Sequence, residues 1–276
     1  MPYTKTVWTD EELAGPERYN ILEDDDTPIS ETVQIVLDTA VTTPGTGVTA
    51  ARMNNIEAGI SDIAKGTISG LKLQRVSATA LTVGTGYAGL SDGSMIVVST
   101  AIAKTSLSLS ANTWYHVYLY DNGGTPDIEI VTTAPATAYF GMARAKTGDT
   151  TRRYLGSVLV VSGSIQEFTH LVDSGYISYT NVSAPKRVLA GGSATVKTAV
   201  SVAAAVPETG TAITLLAINT GTPNLIIVDN SDLTYLTVPT GRAASITPLH
   251  LGNIYYRLAS SGGSAFLDVL GYFFDR

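Results

Sequence analysis

His116, His170 and His250 are the only histidines in the 276-residue chain, and there is no cysteine. A Ser/His/Asp triad would have to use one of these three. None lies in a Gly-x-Ser-x-Gly elbow, which exposes a serine nucleophile, or in a His-Glu-x-x-His helix, which aims two imidazoles at zinc. His116 sits within the aromatic run 114–120, where a hydrogen-bonded core or interface histidine is expected. The missing thiols exclude disulfides, thiolate zinc sites and cysteine nucleophiles. Glycoside hydrolysis needs two carboxylates held across a sugar, and Glu129, Asp149, Glu167 and Asp173 are scattered candidates that nothing in the sequence pairs. The acidic run 23–26 lacks the interleaved Asp-x-Asp-x-Asp-Gly spacing that wraps calcium, so it reads as a solvated turn. No catalytic, cofactor-binding or metal-ligating residue is assigned, no cofactor is required, and a non-enzymatic role is expected.

Binding chemistry is better represented. Gly84-Thr85-Gly86-Tyr87-Ala88-Gly89 matches Gly-x-Gly-x-x-Gly, but no helix follows to aim its N-terminus at a phosphate, so the segment is expected to be a turn. Arg144, Lys146, Arg152 and Arg153 cluster in sequence and Asp149 interrupts them, which argues against a nucleic-acid surface. The 14 tyrosines and the polar loops suit a glycan, because sugar faces stack on rings while hydroxyls pair with Asp, Asn and Thr. Tyr139, Phe140, Tyr255 and Tyr256 are the candidate glycan contacts, against the alternative that strand aromatics are core residues.

These residues need elements to position them. With 44% hydrophobic and 15% charged residues, the chain can bury cores and is too uncharged for intrinsic disorder. No stretch is apolar enough to span a membrane, and the start lacks a secretory n- and h-region, so no membrane insertion is expected. Residues 1–66 hold 4 basic and 12 acidic side chains, net −8, whereas 67–276 hold 13 and 12, net +1. The acidity therefore belongs to one end, which should repel nucleic acid.

That end contains one convincing helix, at about 49–65, with Thr49 as N-cap, Val48 stapling against Met53, and Gly66 after Lys65 as the stop. Its large apolar residues, Met53, Ile56, Ile60 and Ile63, are spaced 3, 4, 3, the narrow seam of a coiled coil. Isoleucine at both seam positions shifts preference away from dimers toward trimers or more, although two heptads need help from a neighbouring domain. The alternative is a helix packed on its own domain. A β-branched strand is expected at 32–38.

After Gly66 the chain reads as short strands: 80–83, 94–98, 106–109, 114–120, 127–132, 153–161 and 164–169, then 212–219, 224–228, 234–238, 243–248, 254–259 and 265–274. Strand 114–120 is apolar or aromatic on both faces and should be central. Residues 121–126 read as a hairpin turn into 127–132, and 260–264 as the hairpin joining the last two strands. The final strand also suits water on neither face, so it should be buried between sheets or between subunits.

A resemblance adds to this reading. Thr6-Val7-Trp8-Thr9-Asp10, Pro16-Glu17-Arg18-Tyr19, Pro44-Gly45-Thr46 and Thr49-Ala50-Ala51-Arg52-Met53-Asn54-Asn55-Ile56-Glu57-Ala58-Gly59-Ile60 occur in that order. This segment resembles the N-terminal region of tailed-bacteriophage tail fibre, baseplate-appendage and receptor-binding proteins. Trp114-Tyr115-His116-Val117-Tyr118-Leu119-Tyr120-Asp121, Thr133-Ala134-Pro135, Ala145-Lys146-Thr147-Gly148-Asp149-Thr150 and Arg153-Tyr154-Leu155-Gly156-Ser157-Val158 resemble a second phage tail-protein module. The resemblances cover 1–66 and about 71–180; residues 184–276 carry none that is specific. They imply a piece that docks on the virion and β-rich modules projecting outward, commonly as homotrimers, and they supply no catalytic residues.

The expectation is a mainly β chain. An N-terminal virion-attachment and trimerisation segment (1–66) with one coiled-coil-like helix precedes a middle β-sandwich domain (67–183) and a C-terminal β-sandwich or jelly-roll-like domain (184–276). The expected function is a structural virion protein, a tail fibre or receptor-binding protein. Residues 1–66 would meet another virion protein in the baseplate, tail tip or capsid, and the C-terminal domain a host surface glycan or protein. A capsid-bound head fibre or decoration protein is the alternative within the virion, and a small glycan-processing enzyme the alternative from another class.

Overall fold

The computed structural model describes residues 49–171, 175–180 and 186–276; the acidic run 23–26, the expected strand 32–38 and most of the attachment segment lie outside the described residues. Those described form a mainly β chain with one helix, and they divide between Ile60 and Ser61 into two compact units.

The helix α1 (Ala50–Gly66) runs across that division. Its N-terminus is capped as the sequence implies: the Arg52 amide donates to Thr49 Oγ1 at 3.3 Å and the Met53 amide to the Thr49 carbonyl at 3.0 Å. At the other end Thr67 satisfies two terminal carbonyls, its amide donating to Ala64 O at 3.1 Å and its hydroxyl to Ile63 O at 2.9 Å. Along the seam Ile56, Ile60 and Ile63 are 55%, 44% and 71% exposed, while the one buried residue of the helix is a serine, Ser61.

The second unit begins with β1 (Ile68–Gly70), β2 (Leu73–Ser77), β3 (Ala80–Val83), β4 (Gly86–Gly89), β5 (Met95–Val98) and β6 (Ile102–Lys104). Next come β7 (Thr113–Asn122), β8 (Thr125–Val131), β9 (Ala145–Lys146), β10 (Asp149–Val161), β11 (Ser164–Ile165), β12 (Phe168–Leu171) and β13 (Tyr176–Tyr179). The chain closes with β14 (Lys186–Gly192), β15 (Thr198–Ser201), β16 (Gly210–Asn219), β17 (Leu225–Val228), β18 (Thr234–Val238), β19 (Gly241–Pro248), β20 (Asn253–Leu258) and β21 (Ala265–Phe274).

β7 is central, lying between β10 and β8. Its two faces serve two cores. Tyr115, Val117 and Leu119 pack with Leu73, Leu81, Val98 and Ile128, while Tyr118 joins Tyr154 in the core that continues through β16, β17, β20 and β21. A two-residue turn links β7 to β8, with Gly123 and Gly124 both at positive φ and the Gly124 amide donating to Asp121 Oδ1 at 2.7 Å. Apart from the β17–β18 hairpin, the last eight strands alternate between two sheets, ordered β14-β21-β16-β19 and β15-β20-β17-β18, which is jelly-roll connectivity. β12 and β13, from the segment read as the middle domain, extend the first of these sheets, β13 pairing onto β21 and β12 onto β13.

Four local expectations are corrected. Residues 260–264 do not close a hairpin, because β20 pairs with β15 and β17 while β21 pairs with β13, β14 and β16 in the other sheet. Residues 106–109 are not a strand: Ser106 takes φ +56°, which breaks an extended run, and the strand lies earlier, at β6. The stretch 164–169 is two strands, because β11 folds back on β10 while β12 leaves for the other sheet. The glycine-rich segment 84–89 turns only at its start, and its last four residues are β4, paired with both β1 and β5.

Candidate functional site

At one end of the jelly roll, three loops converge: 202–209 between β15 and β16, 229–233 between β17 and β18, and 249–252 between β19 and β20. They wall two adjoining clefts of about 550 and 360 Å³, and Leu249 and Asn253 line both. The Val202 amide donates to Gly252 O at 3.1 Å and ties two of the loops together.

The smaller cleft holds Asp229, Asn230, Ser231, Tyr235, His250 and Tyr255. Its polar rim is built by Asp229, whose Oδ1 accepts from the Ser231 and Leu233 amides at 2.7 and 2.8 Å and whose Oδ2 accepts from the Ser231 hydroxyl at 3.1 Å. The Leu233 amide and the other donors hold this carboxyl below its ordinary value. Asp229 therefore shapes the turn, and Asp232 closes it at φ +71°. Lys197 Nζ donates to the Asn230 carbonyl at 2.6 Å and lies 5.7 Å from the Tyr255 ring centroid. Tyr235 is 41% exposed, so two phenol rings border a polar depression, an arrangement matched to a sugar's apolar face and hydroxyl edge.

The larger cleft is more apolar, lined by Trp114, Val206, Pro207, Leu249 and Leu251, with His116 and Glu208 beside them. Trp114 is fixed by its Nε1–H donating to Ala203 O at 3.0 Å. Leu251 sits at the tip, 87% exposed and at φ +49°, with the side-chain Nδ2 of Asn253 donating to its carbonyl at 2.9 Å.

His116 is buried, as a core histidine would be. Its Nδ1 shares a 2.8 Å hydrogen bond with Ser157 Oγ, which contacts Tyr154 Oη at 2.7 Å, and Tyr154 Oη in turn contacts Thr209 Oγ1 at 2.8 Å. Burial lowers the His116 pKa to about 4 and pushes that of Tyr154 up to about 12, so this chain is neutral near pH 7. Ser157 is 1% exposed and its hydroxyl is shared by two partners, so the pair reads as an internal tie between β7 and β10. No group of three or more His, Asp or Glu that could hold a metal ion occurs among the described residues.

Of the four aromatic candidates, the structure brings only Tyr255 to this end's clefts. No protein-family model, curated protein or solved structure matches the chain. Tyr256, its neighbour in β20, is 3% exposed and faces the core, so it presents no ring to a ligand. Tyr139 is half-buried, donating its hydroxyl to Gly89 O at 2.9 Å, and Phe140 is 42% exposed; neither lines either cleft. Sequence reasoning missed Asn230 and Tyr235. The Asp229-Asn230-Ser231-Asp232 run is a strong turn signal between two strands and would have located the loop. No helix among the described residues is long and apolar enough to cross a membrane.

Proposed function

We propose that the chain is a structural protein of a tailed-phage virion, a tail fibre or receptor-binding protein that adheres to the host surface through the loop end of its C-terminal β region. The observation that carries the adhesive reading is the pair of adjoining clefts, where Tyr235, Tyr255 and Asn230 border the smaller and exposed Leu251 the larger. The resemblance of residues 1–66 to phage attachment segments supports the virion setting. The exposed isoleucines of α1 support assembly as a homotrimer, with the narrow seam turned to partner helices. Several weak sites on one particle then act together, because each bound site raises the effective concentration of the next. The ligand class is a surface glycan.

Replacing Tyr255→Ala and Asn230→Ala together should lower retention of labelled protein on host cells about tenfold, in line with the loss of a stacking ring and an amide. Melting should be unchanged, because both side chains lie outside the core. Retention equal to the parent would overturn the assignment of this cleft. Immunogold labelling of particles tests the setting: label at the tail tip is expected, and label over the capsid would replace the receptor-binding reading with the decoration one.

A further inference from the structure

The polar groups around the larger cleft are mostly committed to one another. Trp114 Nε1–H donates to Ala203 O, the Val202 amide to Gly252 O, and the side-chain Nδ2 of Asn253 to Leu251 O, at 3.0, 3.1 and 2.9 Å. The Asn253 amide donates to His250 O at 3.0 Å, and Nδ1 of His116 is shared with Ser157. The walls are then mainly carbon, from Trp114, Val206, Pro207, Leu249 and Leu251. A sugar ring seated here would leave most of its hydroxyls unmatched, and an unmatched buried hydroxyl is costly. The smaller cleft instead offers the Tyr235 and Tyr255 hydroxyls and the Asn230 amide.

Leu251 points the same way. It and Leu71 are the two leucines at positive φ among the described residues, at +49° and +57°. The β-carbon is crowded in that region, so a leucine stays there only where something compensates. Leu71 is compensated by complete burial in the core, whereas Leu251 is 87% exposed, the most exposed large hydrophobic residue among those described. Its loop is nonetheless fixed, through Gly252 O to the Val202 amide and through its own carbonyl to Asn253. The fold therefore holds an apolar side chain in water at a set position beside Leu249, which lines both clefts.

We propose that the glycan bound here carries an acyl chain, its sugar lying in the smaller cleft and its chain in the larger, against Trp114, Leu249 and Leu251. This assignment rests on the reading of the two clefts as a glycan site and narrows the ligand of that site. The wall shared through Leu249 and Asn253 lets one molecule occupy both, and at about 550 and 360 Å³ each cleft is large enough to hold a separate part of it. Glu208, exposed and on the larger cleft, opposes a second negative charge, so the chain is a neutral acyl group joined to the sugar rather than a fatty acid. Its source is a decorated polysaccharide. A glycolipid in a membrane already buries its chain among other chains and presents only its sugar.

The test is calorimetric titration of the full chain with methyl, butyl and hexyl β-glucopyranoside, which join one sugar to a lengthening chain. Affinity should rise about fourfold per methylene, and so about tenfold or more from butyl to hexyl. Leu251→Asn should abolish that rise, and because asparagine suits positive φ its melting temperature should equal or exceed the parent's. Val196→Asn replaces a valine that is 71% exposed and lines neither cleft, and it should keep the rise. The double variant Tyr255→Ala/Asn230→Ala should weaken all three glucosides by a common factor. Equal affinity for the three, or a rise that survives Leu251→Asn or vanishes in Val196→Asn, would overturn the acyl assignment, and the sugar site would stand if the double variant still weakens binding. A rise with no effect of the double variant would mean that the chain binds without its sugar, and both readings would fall. No binding of any glucoside by a protein still retained on host cells would remove the acyl assignment alone. Phosphatidylcholine vesicles containing a glucosyl lipid should not bind, and binding as tight as that of hexyl glucoside would reject the polysaccharide source.

Discussion

Lowering the pH from 6.5 to 4 should remove on the order of 3 kcal/mol of stability for each of two buried histidines, His116 and His170. In the unfolded chain an imidazole takes its proton near pH 6.5. In the folded chain burial lowers the His116 pKa to about 4, and burial, reinforced by the charges of Arg276 and Lys72, lowers that of His170 to about 3. Across that window the unfolded state therefore binds more protons, and stability falls as pH falls. His170 has a specific reason to stay neutral. Its Nδ1 accepts the Leu73 amide at 3.0 Å, a tie between β12 and β2 that a proton on Nδ1 would break. The carboxyls of Asp127, Asp149 and Asp229, all lowered by hydrogen bonds or nearby cations, lose their contribution only below about pH 3.8 and so titrate in a separate range. Urea denaturation at steps between pH 7 and 4.5 measures the slope. The parent should approach two protons taken up on unfolding, and His116→Gln should approach one. Flat stability across this range would show that neither imidazole is held neutral by the fold.

The elements that were readable in the sequence are those whose signal is local. The Thr49 cap, the Gly123-Gly124 turn and the alternation of β20 each rest on a few neighbouring residues, and each stands in the structure; the final strand, β21, does not alternate throughout, because a register shift beside Gly271 turns Tyr272 and Phe274 to the core. Which sheet a strand joins is a different kind of information. β12 and β13 follow β10 and β11 in sequence, yet β13 carries them into the other sheet by pairing onto β21, about 95 residues later, because the complementary edge is there. The cleft was half legible for a related reason. Adjacent strand residues point to opposite faces, so Tyr255 and Tyr256 could not both reach a ligand. The parity was available: Ile254, Tyr256 and Leu258 form the apolar set that enters the core, leaving Asn253, Tyr255 and Arg257 outside. What alternation cannot supply is the neighbour across the gap. Tyr235 and Asn230 meet Tyr255 only because β17 pairs with both β18 and β20.

Gly86→Ala should be among the most damaging single-methyl additions in the chain, lowering stability by about 3–5 kcal/mol, the range reserved for changes that force backbone against backbone. Gly86 is the third residue of the segment that superficially matches a phosphate-binding loop, and its role is steric. It lies at φ +153° and pairs with Gly70 across the β1–β4 ladder, where Gly70 is itself at φ +65°. A Cβ on Gly86 would collide with the Ser69 carbonyl oxygen and lie 2.7 Å from the Leu71 nitrogen and 2.9 Å from the Gly70 Cα. All three are main-chain atoms, so no rotamer change relieves the contact, and separating the strands breaks the Leu71 amide's 2.9 Å hydrogen bond to Thr85 O. Leu71, which follows Gly70 directly, is fully buried in the core that Tyr115, Val117 and Leu119 of β7 share, so the disturbance reaches that core. Gly123→Ala is the control. It also lies at positive φ, but nothing stands within 4 Å of its added Cβ, so only the local conformational cost of about 1 kcal/mol applies. Chemical denaturation of both variants against the parent separates the two cases. Equal losses for Gly86→Ala and Gly123→Ala would mean that backbone conformation alone explains the glycine, and that the close approach of β1 and β4 carries no part of the stability.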